Sequence, residues 1–135
     1  GRQALKSPRD IARFAAIHQQ DRSEWRAWLT AAGVGDLVFQ DETIIEDSNV
    51  ALQAALMEQG IALGIFPFVQ EDVESGLLAK PFAHDLLPEK SYYILTRPGA
   101  RQRGEVAAVC AWLRKQADDY AKAYPFTLLS ETAPD

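Results

Sequence analysis

Three short stretches hold the side chains best suited to meet a small polar molecule: His18-Gln19-Gln20, Asp47-Ser48-Asn49 and Ile65-Phe66-Pro67. Asp47, Ser48 and Asn49 are three helix-capping residue types in a row. A helix opening there aims free N–H groups and the positive end of its dipole outward, a natural seat for a carboxylate or another anion. Ser48 and Asn49 add side-chain donors, whereas Asp47 repels an anion unless its carboxylate turns back onto the backbone as the cap. The plainer alternative is that all three stretches are only caps and turns. His18 is one of two histidines, with His84. An imidazole titrates near neutral pH, but a lone histidine at a strand end is also an ordinary structural residue.

Catalytic arrangements are not evident. The two histidines stand in no HExxH or similar metal-binding spacing. Cys110 is the sole cysteine, which excludes an internal disulfide and a multi-cysteine metal site. It falls on the apolar stripe of a helix, where a thiol packs as a small hydrophobe. Ser48 lies outside any G-x-S-x-G elbow. Gly60 and Gly64 flank an apolar run, whereas a dinucleotide loop needs its glycines between strand and helix. The expectation is a protein that is not an enzyme and uses neither cofactor nor metal.

Charge narrows the partners. The 135 residues carry a net charge of −5, without the basic footprint that phosphate backbones demand. Arg97, Arg101 and Arg103 surround the Pro98-Gly99 turn and read as a solvated loop. No apolar run approaches the roughly 20 residues that span a bilayer. No apolar h-region follows Gly1-Arg2-Gln3. Contact with a membrane is not expected, and the cytoplasm is the expected location.

The elements that position these residues follow from pattern. Ser7-Pro8-Arg9-Asp10 opens a first helix running to about Phe14 or Ala15. Ala16-Ile17-His18 reads as a short strand. A helix from about Ser23 to Ala32 gathers Trp25, Trp28, Leu29 and Ala32 on one face, with Gly33 as its left-handed stop. Residues 34–40 are loop-like, and Thr43–Glu46 is a β-branched strand. The helix that Asp47-Ser48-Asn49 starts ends at Gly60. Ile61–Ile65 is wholly apolar, as in a strand buried on both faces. Pro67 opens a short helix over Phe68–Glu74, closed by Gly76, and Leu77-Leu78-Ala79 leads to Pro81-Phe82 as another strand. After a polar connection over 83–90, Ser91–Thr96 is the longest expected strand. The last helix spans about Glu105 to Ala121. Strands alternating with helices imply an α/β fold with a mostly parallel sheet flanked by helices. In such sheets ligands bind beyond the carboxyl ends of the strands, which is where the three stretches fall.

Read in order, these segments resemble the C-terminal part of the effector-binding domain of LysR-type transcriptional regulators, in a glycine-cleavage-activator-like branch. The resemblance is carried by Leu52-Gln53-Ala54-Ala55-Leu56, Gln59-Gly60-Ile61-Ala62-Leu63-Gly64, Pro67, Val69, Asp72, Gly76-Leu77-Leu78 and Pro81-Phe82. Ile17-His18, Trp25, Trp28-Leu29, Ala31-Ala32-Gly33-Val34, Tyr92-Tyr93-Ile94-Leu95 and Ala111-Trp112-Leu113 fall around them at the expected distances. The resemblance implies a lobe like that of type II periplasmic binding proteins, with a small organic or amino acid held between two lobes. It makes residues 1–126 part of such a domain, about 7–82 being the second lobe and 91–122 a strand and helix returning to the first, with 127–135 a flexible tail.

It further implies that Asp47, Ser48 and Asn49 give the lobe's contribution to the cleft; the strand-end rule adds His18, Gln19, Ile65 and Phe66 as ligand-binding candidates. The DNA contact would belong to an N-terminal winged helix-turn-helix outside this sequence, and the intact protein would be a homo-oligomer. Ile65-Phe66 stands where polar or basic residues are more usual before the proline, and Val109-Cys110 where Ala-Phe is commoner. The alternative is a piece of a type II solute-binding protein with no part in transcription, which an upstream signal peptide would mark.

Overall fold

The computed structural model describes residues 5–83, 85–86 and 92–125. His84, Ser91, most of the polar connection over 83–90 and the tail over 127–135 lie outside them. The described residues fall into two compact units, 5–86 and 92–125.

In the first unit the expected opening helix takes the 3-10 form, Pro8–Arg13. Asp10 holds its entrance: one carboxylate oxygen accepts the Lys6 and Ser7 amides at 2.8 and 2.9 Å. These backbone donors favour the charged form and lower the Asp10 pKa. Strand β1, Ala16–His18, follows as expected and is buried at all three residues. Helix α1, Ser23–Ala31, then leads to strand β2, Glu42–Ile44. Helix α2, Ser48–Leu56, leads to strand β3, Ile61–Ala62, and the short helix α3 spans Gln70–Glu74.

The sheet has the order β2-β1-β3, with both pairings parallel. Ala16 stands opposite Glu42 and Ile61, and Ile17 opposite Thr43 and Ala62. Because side chains alternate along a strand, this register divides the core in two. On one face Ala16 joins Ile11, Trp25, Trp28, Leu29, Val34 and Phe39, with Ile61, Leu63 and Phe82 packed against them. On the other, Ile17 meets Ala51 and Ala54 of α2. Helices therefore cover both faces, and the α/β architecture with a parallel sheet holds.

The large side chains of α1 anchor the first face. Trp25 and Trp28 meet edge to face at 5.8 Å, and Trp25 and Phe39 at 5.2 Å. The Trp25 indole N–H donates to the Ile17 carbonyl at 3.0 Å, which satisfies a polar group that burial would otherwise penalise. Gly33, at φ +73°, ends α1 as expected. Its amide bonds Thr30, and the Val34 amide bonds Leu29, the two backbone bonds of a Schellman stop.

Other boundaries move. Helix α2 stops before Gly60: Glu58 takes the left-handed position at φ 59°, with Glu58 N–H to Ala55 and Gln59 N–H to Ala54. Gly60 has a different purpose, since a Cβ there would sit 2.5 Å from the Ala15 carbonyl oxygen. Strand β3 is shorter than expected because the chain leaves the ladder at Leu63 and Gly64 passes against Val69. Helix α3 begins later than Phe68, at Gln70. Leu77–Phe82 contains no strand; Pro81 has no N–H to give a ladder, and Phe82 is drawn onto the Trp28 ring at 5.6 Å.

In the second unit the expected strand over 91–96 is not formed at its described residues, 92–96. A strand needs a neighbour to share its backbone groups, and the described elements of this unit are helical. Gly99, at φ +75°, turns the chain into a one-turn 3-10 helix, Ala100–Gln102. Helix α4 follows over Gly104–Ala123. Cys110 is buried on the face of α4 toward 94–96, whereas Val109 and Trp112 are exposed.

Candidate functional site

Parallel pairing sends the carboxyl ends of β1, β2 and β3 to the same edge of the sheet. The three stretches singled out in the sequence follow those ends. Strand β1 is central, so His18-Gln19 emerges between the other two. The His18 carbonyl accepts the Ile45 amide at 2.8 Å, which carries the β1–β2 ladder one residue beyond β2 and fixes the chain as it turns into α2.

At that turn Asp47 is the cap. Its Oδ1 accepts the Asn49 amide at 2.8 Å and the Val50 amide at 3.2 Å. The Asp47 carboxylate thus faces the backbone, the one arrangement in which it does not oppose an anion at the helix start. It also takes two of the helix's free donors for itself. What remains toward solvent is the Ser48 amide with the exposed Ser48 and Asn49 side chains. This is a small set of donors at the start of a nine-residue helix.

Gln19 is half-buried and its carbonyl accepts the Asp21 amide at 2.6 Å; Gln20 follows at φ 60°. Asp21 Oδ1 in turn accepts the Ser23 amide at 2.7 Å and secures the entrance of α1. Beyond β3, Ile65 is 40% exposed and Phe66 half-buried. The Ile65 carbonyl accepts the Phe68 amide at 2.8 Å, holding this apolar wall in a tight turn. The Phe66-Pro67 peptide is cis.

The His18 ring is placed differently from its backbone. It is 2% exposed, lies on the Ala16 face and meets Phe39 edge-on at 6.4 Å. Nε2 is 3.3 Å from Glu42 Oε1, yet neither ring nitrogen has a partner in hydrogen-bond geometry. At the edge itself the strand offers backbone, while the imidazole faces inward. Glu42 also receives the Arg22 guanidinium, Nε to Oε2, at 2.8 Å. That hydrogen bond is the main reason its pKa falls below the ordinary value; partial burial works against it, and the Arg22 and His18 charges add smaller downward pulls. Sequence reading missed Glu42 and Arg22, since no spacing links residues 18, 22 and 42.

Among the described residues no group of three or more His, Cys, Asp or Glu could hold a metal ion, and no helix is long and apolar enough to cross a membrane.

Comparison with known proteins bears on this geometry. The profile of the LysR substrate binding domain matches residues 1–118. The glycine cleavage system transcriptional activator of Escherichia coli K12 is 29% identical over 117 residues, 87% of this chain and 38% of that protein. The transcriptional activator AmpR of Enterobacter cloacae is 34% identical over 99 residues, 73% of this chain and 33% of that protein. The transcriptional regulator DsdC of Escherichia coli K12 is 32% identical over 113 residues, 77% of this chain and 33% of that protein. The chain thus spans about a third of the length of these relatives, which are named as transcriptional activators or regulators. No solved structure matches. With a parallel α/β lobe and a profile match over most of its length, the chain belongs to the LysR substrate-binding domain family.

Proposed function

We propose that the chain is the effector-sensing part of a LysR-type transcriptional regulator, binding a small organic or amino acid at the carboxyl edge of its sheet. Asp47, Ser48 and Asn49 form the polar seat, Gln19 and the His18 backbone flank it, and Ile65 with Phe66 form its apolar wall. Residues 7–82 serve as the second lobe, and 91–122 return to the first. DNA is contacted through a winged helix-turn-helix N-terminal to this sequence, in a cytoplasmic homo-oligomer. The protein turns over no substrate. Effector closes the lobes and shifts the population between subunit arrangements.

The observation that carries this reading is the family match over 1–118, joined to the parallel register that brings three strand ends to one edge. The division of the described residues near position 87 supports the two-part assignment. A glycine cleavage activator among the relatives favours amino acids as the first effectors to try. Isothermal titration of the regulator carrying this chain against amino and organic acids tests the reading. Ser48→Ala is expected to weaken the identified effector about fivefold, the value of one net hydrogen bond of about 1 kcal/mol. An unchanged affinity removes Ser48 from the site, and silence across the panel overturns the sensing role.

A further inference from the structure

The candidate edge meets a cation that the sequence pattern did not single out. Lys80 Nζ lies 4.9 Å from the centre of the Phe66 ring, within the range in which an ammonium is attracted to an aromatic face. Phe66 lies in the stretch that follows the carboxyl end of β3, so this ammonium accompanies one of the three candidate stretches. Its side chain is 32% exposed, and its hydrogen-bond partner among the described residues is Asp85 Oδ1 at 2.5 Å. An ammonium has three donors, so two remain for another group. Between Lys80 and Asp85, Phe82 packs on the buried Trp28, which ties the segment to the core and limits how far Lys80 can wander.

We propose that Lys80 is the charge-recognising residue of the effector edge, its ammonium taking a carboxylate of the effector while the Phe66 ring supports the apolar body of the same molecule. This rests on the reading of the edge as the effector site, and it adds the means of recognition: the acid is held through its anionic group by the Lys80 ammonium. Asp85 holds the ammonium in place when no ligand is bound. The pair is partly buried, and an incoming carboxylate takes the donors that Asp85 leaves free or exchanges with it.

The test titrates the 135-residue chain with acetate, succinate and methylammonium, following the Lys80 side-chain resonances by NMR and tryptophan fluorescence. Acetate and succinate are expected to shift the Lys80 signals, and methylammonium is not. Lys80→Met keeps the alkyl stem over Phe66 and is expected to weaken succinate about tenfold, since it removes a charge-assisted contact. Lys80→Arg is expected to retain most of the binding. Asp85→Asn removes the competing carboxylate and is expected to tighten succinate severalfold. Circular dichroism establishes that each variant is folded, and Asp85→Asn gives an independent readout if Lys80→Met is not. Equal succinate affinity in folded Lys80→Met overturns the proposal, as does weaker binding in folded Asp85→Asn. If Ser48→Ala weakens succinate while Lys80→Met does not, the edge is the site and Lys80 is not its cation. If none of the probes binds the chain, the reading of the edge fails with it.

Discussion

Gly60 offers the sharpest test of how the sheet is held together. A Cβ placed there would lie 2.5 Å from the Ala15 carbonyl oxygen and 3.2 Å from Ile17 Cγ1. The first contact is with backbone, which cannot swing aside as a side chain does. That carbonyl also accepts the Ile61 amide at 2.9 Å, the bond that brings β3 onto β1. Gly60→Ala must push the strands apart where β3 is only two residues long. Overpacking of this kind costs about 1–3 kcal/mol, and the disturbed hydrogen bond about 1 kcal/mol more. The reduced freedom of the unfolded chain returns about 0.4–1 kcal/mol.

The expected net loss is about 2 kcal/mol. With a urea slope of about 1–3 kcal/mol per molar, the midpoint falls by about 1 M. Trp25 and Trp28, both buried on this sheet, report the transition by fluorescence. Gly104→Ala is the control, because a Cβ there meets nothing within 4 Å and it lies in α4. Stability of Gly60→Ala within about 0.3 kcal/mol of the parent would refute the close-approach argument, since overpacking costs several times that amount.

Two further variants probe the backbone and the charges. Glu58→Gly relieves a left-handed residue at the end of α2. It is expected to stabilise the chain by about 0.5–1 kcal/mol, the left-handed penalty less the entropy of glycine, measured as a higher urea midpoint. Glu42 has a lowered pKa through Arg22. A carboxylate depressed in the folded state stabilises above its unfolded pKa, and that contribution is lost as pH falls through the lower folded value. Acid titration of stability should therefore show a Glu42-dependent loss beginning near the ordinary value of 4.5 and continuing below it. Glu42→Gln should be less stable at neutral pH and lack that part of the acid limb; parallel curves for both proteins would show that the Arg22 contact contributes nothing.

Much of the frame was legible because local chemistry and tertiary packing agree. The tryptophan face of α1, its Gly33 stop and the start of α2 are short-range signals that the fold keeps. Of three possible caps at that start, Asp47 does the capping, and this could not be read because Asp, Ser and Asn share the preference. The less legible parts depend on distant partners. The 92–96 stretch has strand-forming residues, but the described elements of its own unit are helical and offer it no ladder. Gly60 reads locally as a helix stop, yet its role is set by Ala15, far off in sequence. The contacts of His18 with Glu42 and of Lys80 with Phe66 join residues with no periodic relation. The candidate site was legible as three strand ends; the cation beside it was not.

The β2-β1-β3 order also governs when the fold can form. Parallel neighbours exclude a hairpin, so β1 gains its first partner only after α1 has been made, and its second only when Ile61 arrives opposite Ala16. During synthesis the apolar Ala16-Ile17 pair waits with one flank open until that late segment leaves the ribosome. Topologies with such long sequence separations assemble slowly and are exposed to mispairing meanwhile. The interval before β3 arrives is therefore when a nascent chain of this kind has most need of a chaperone.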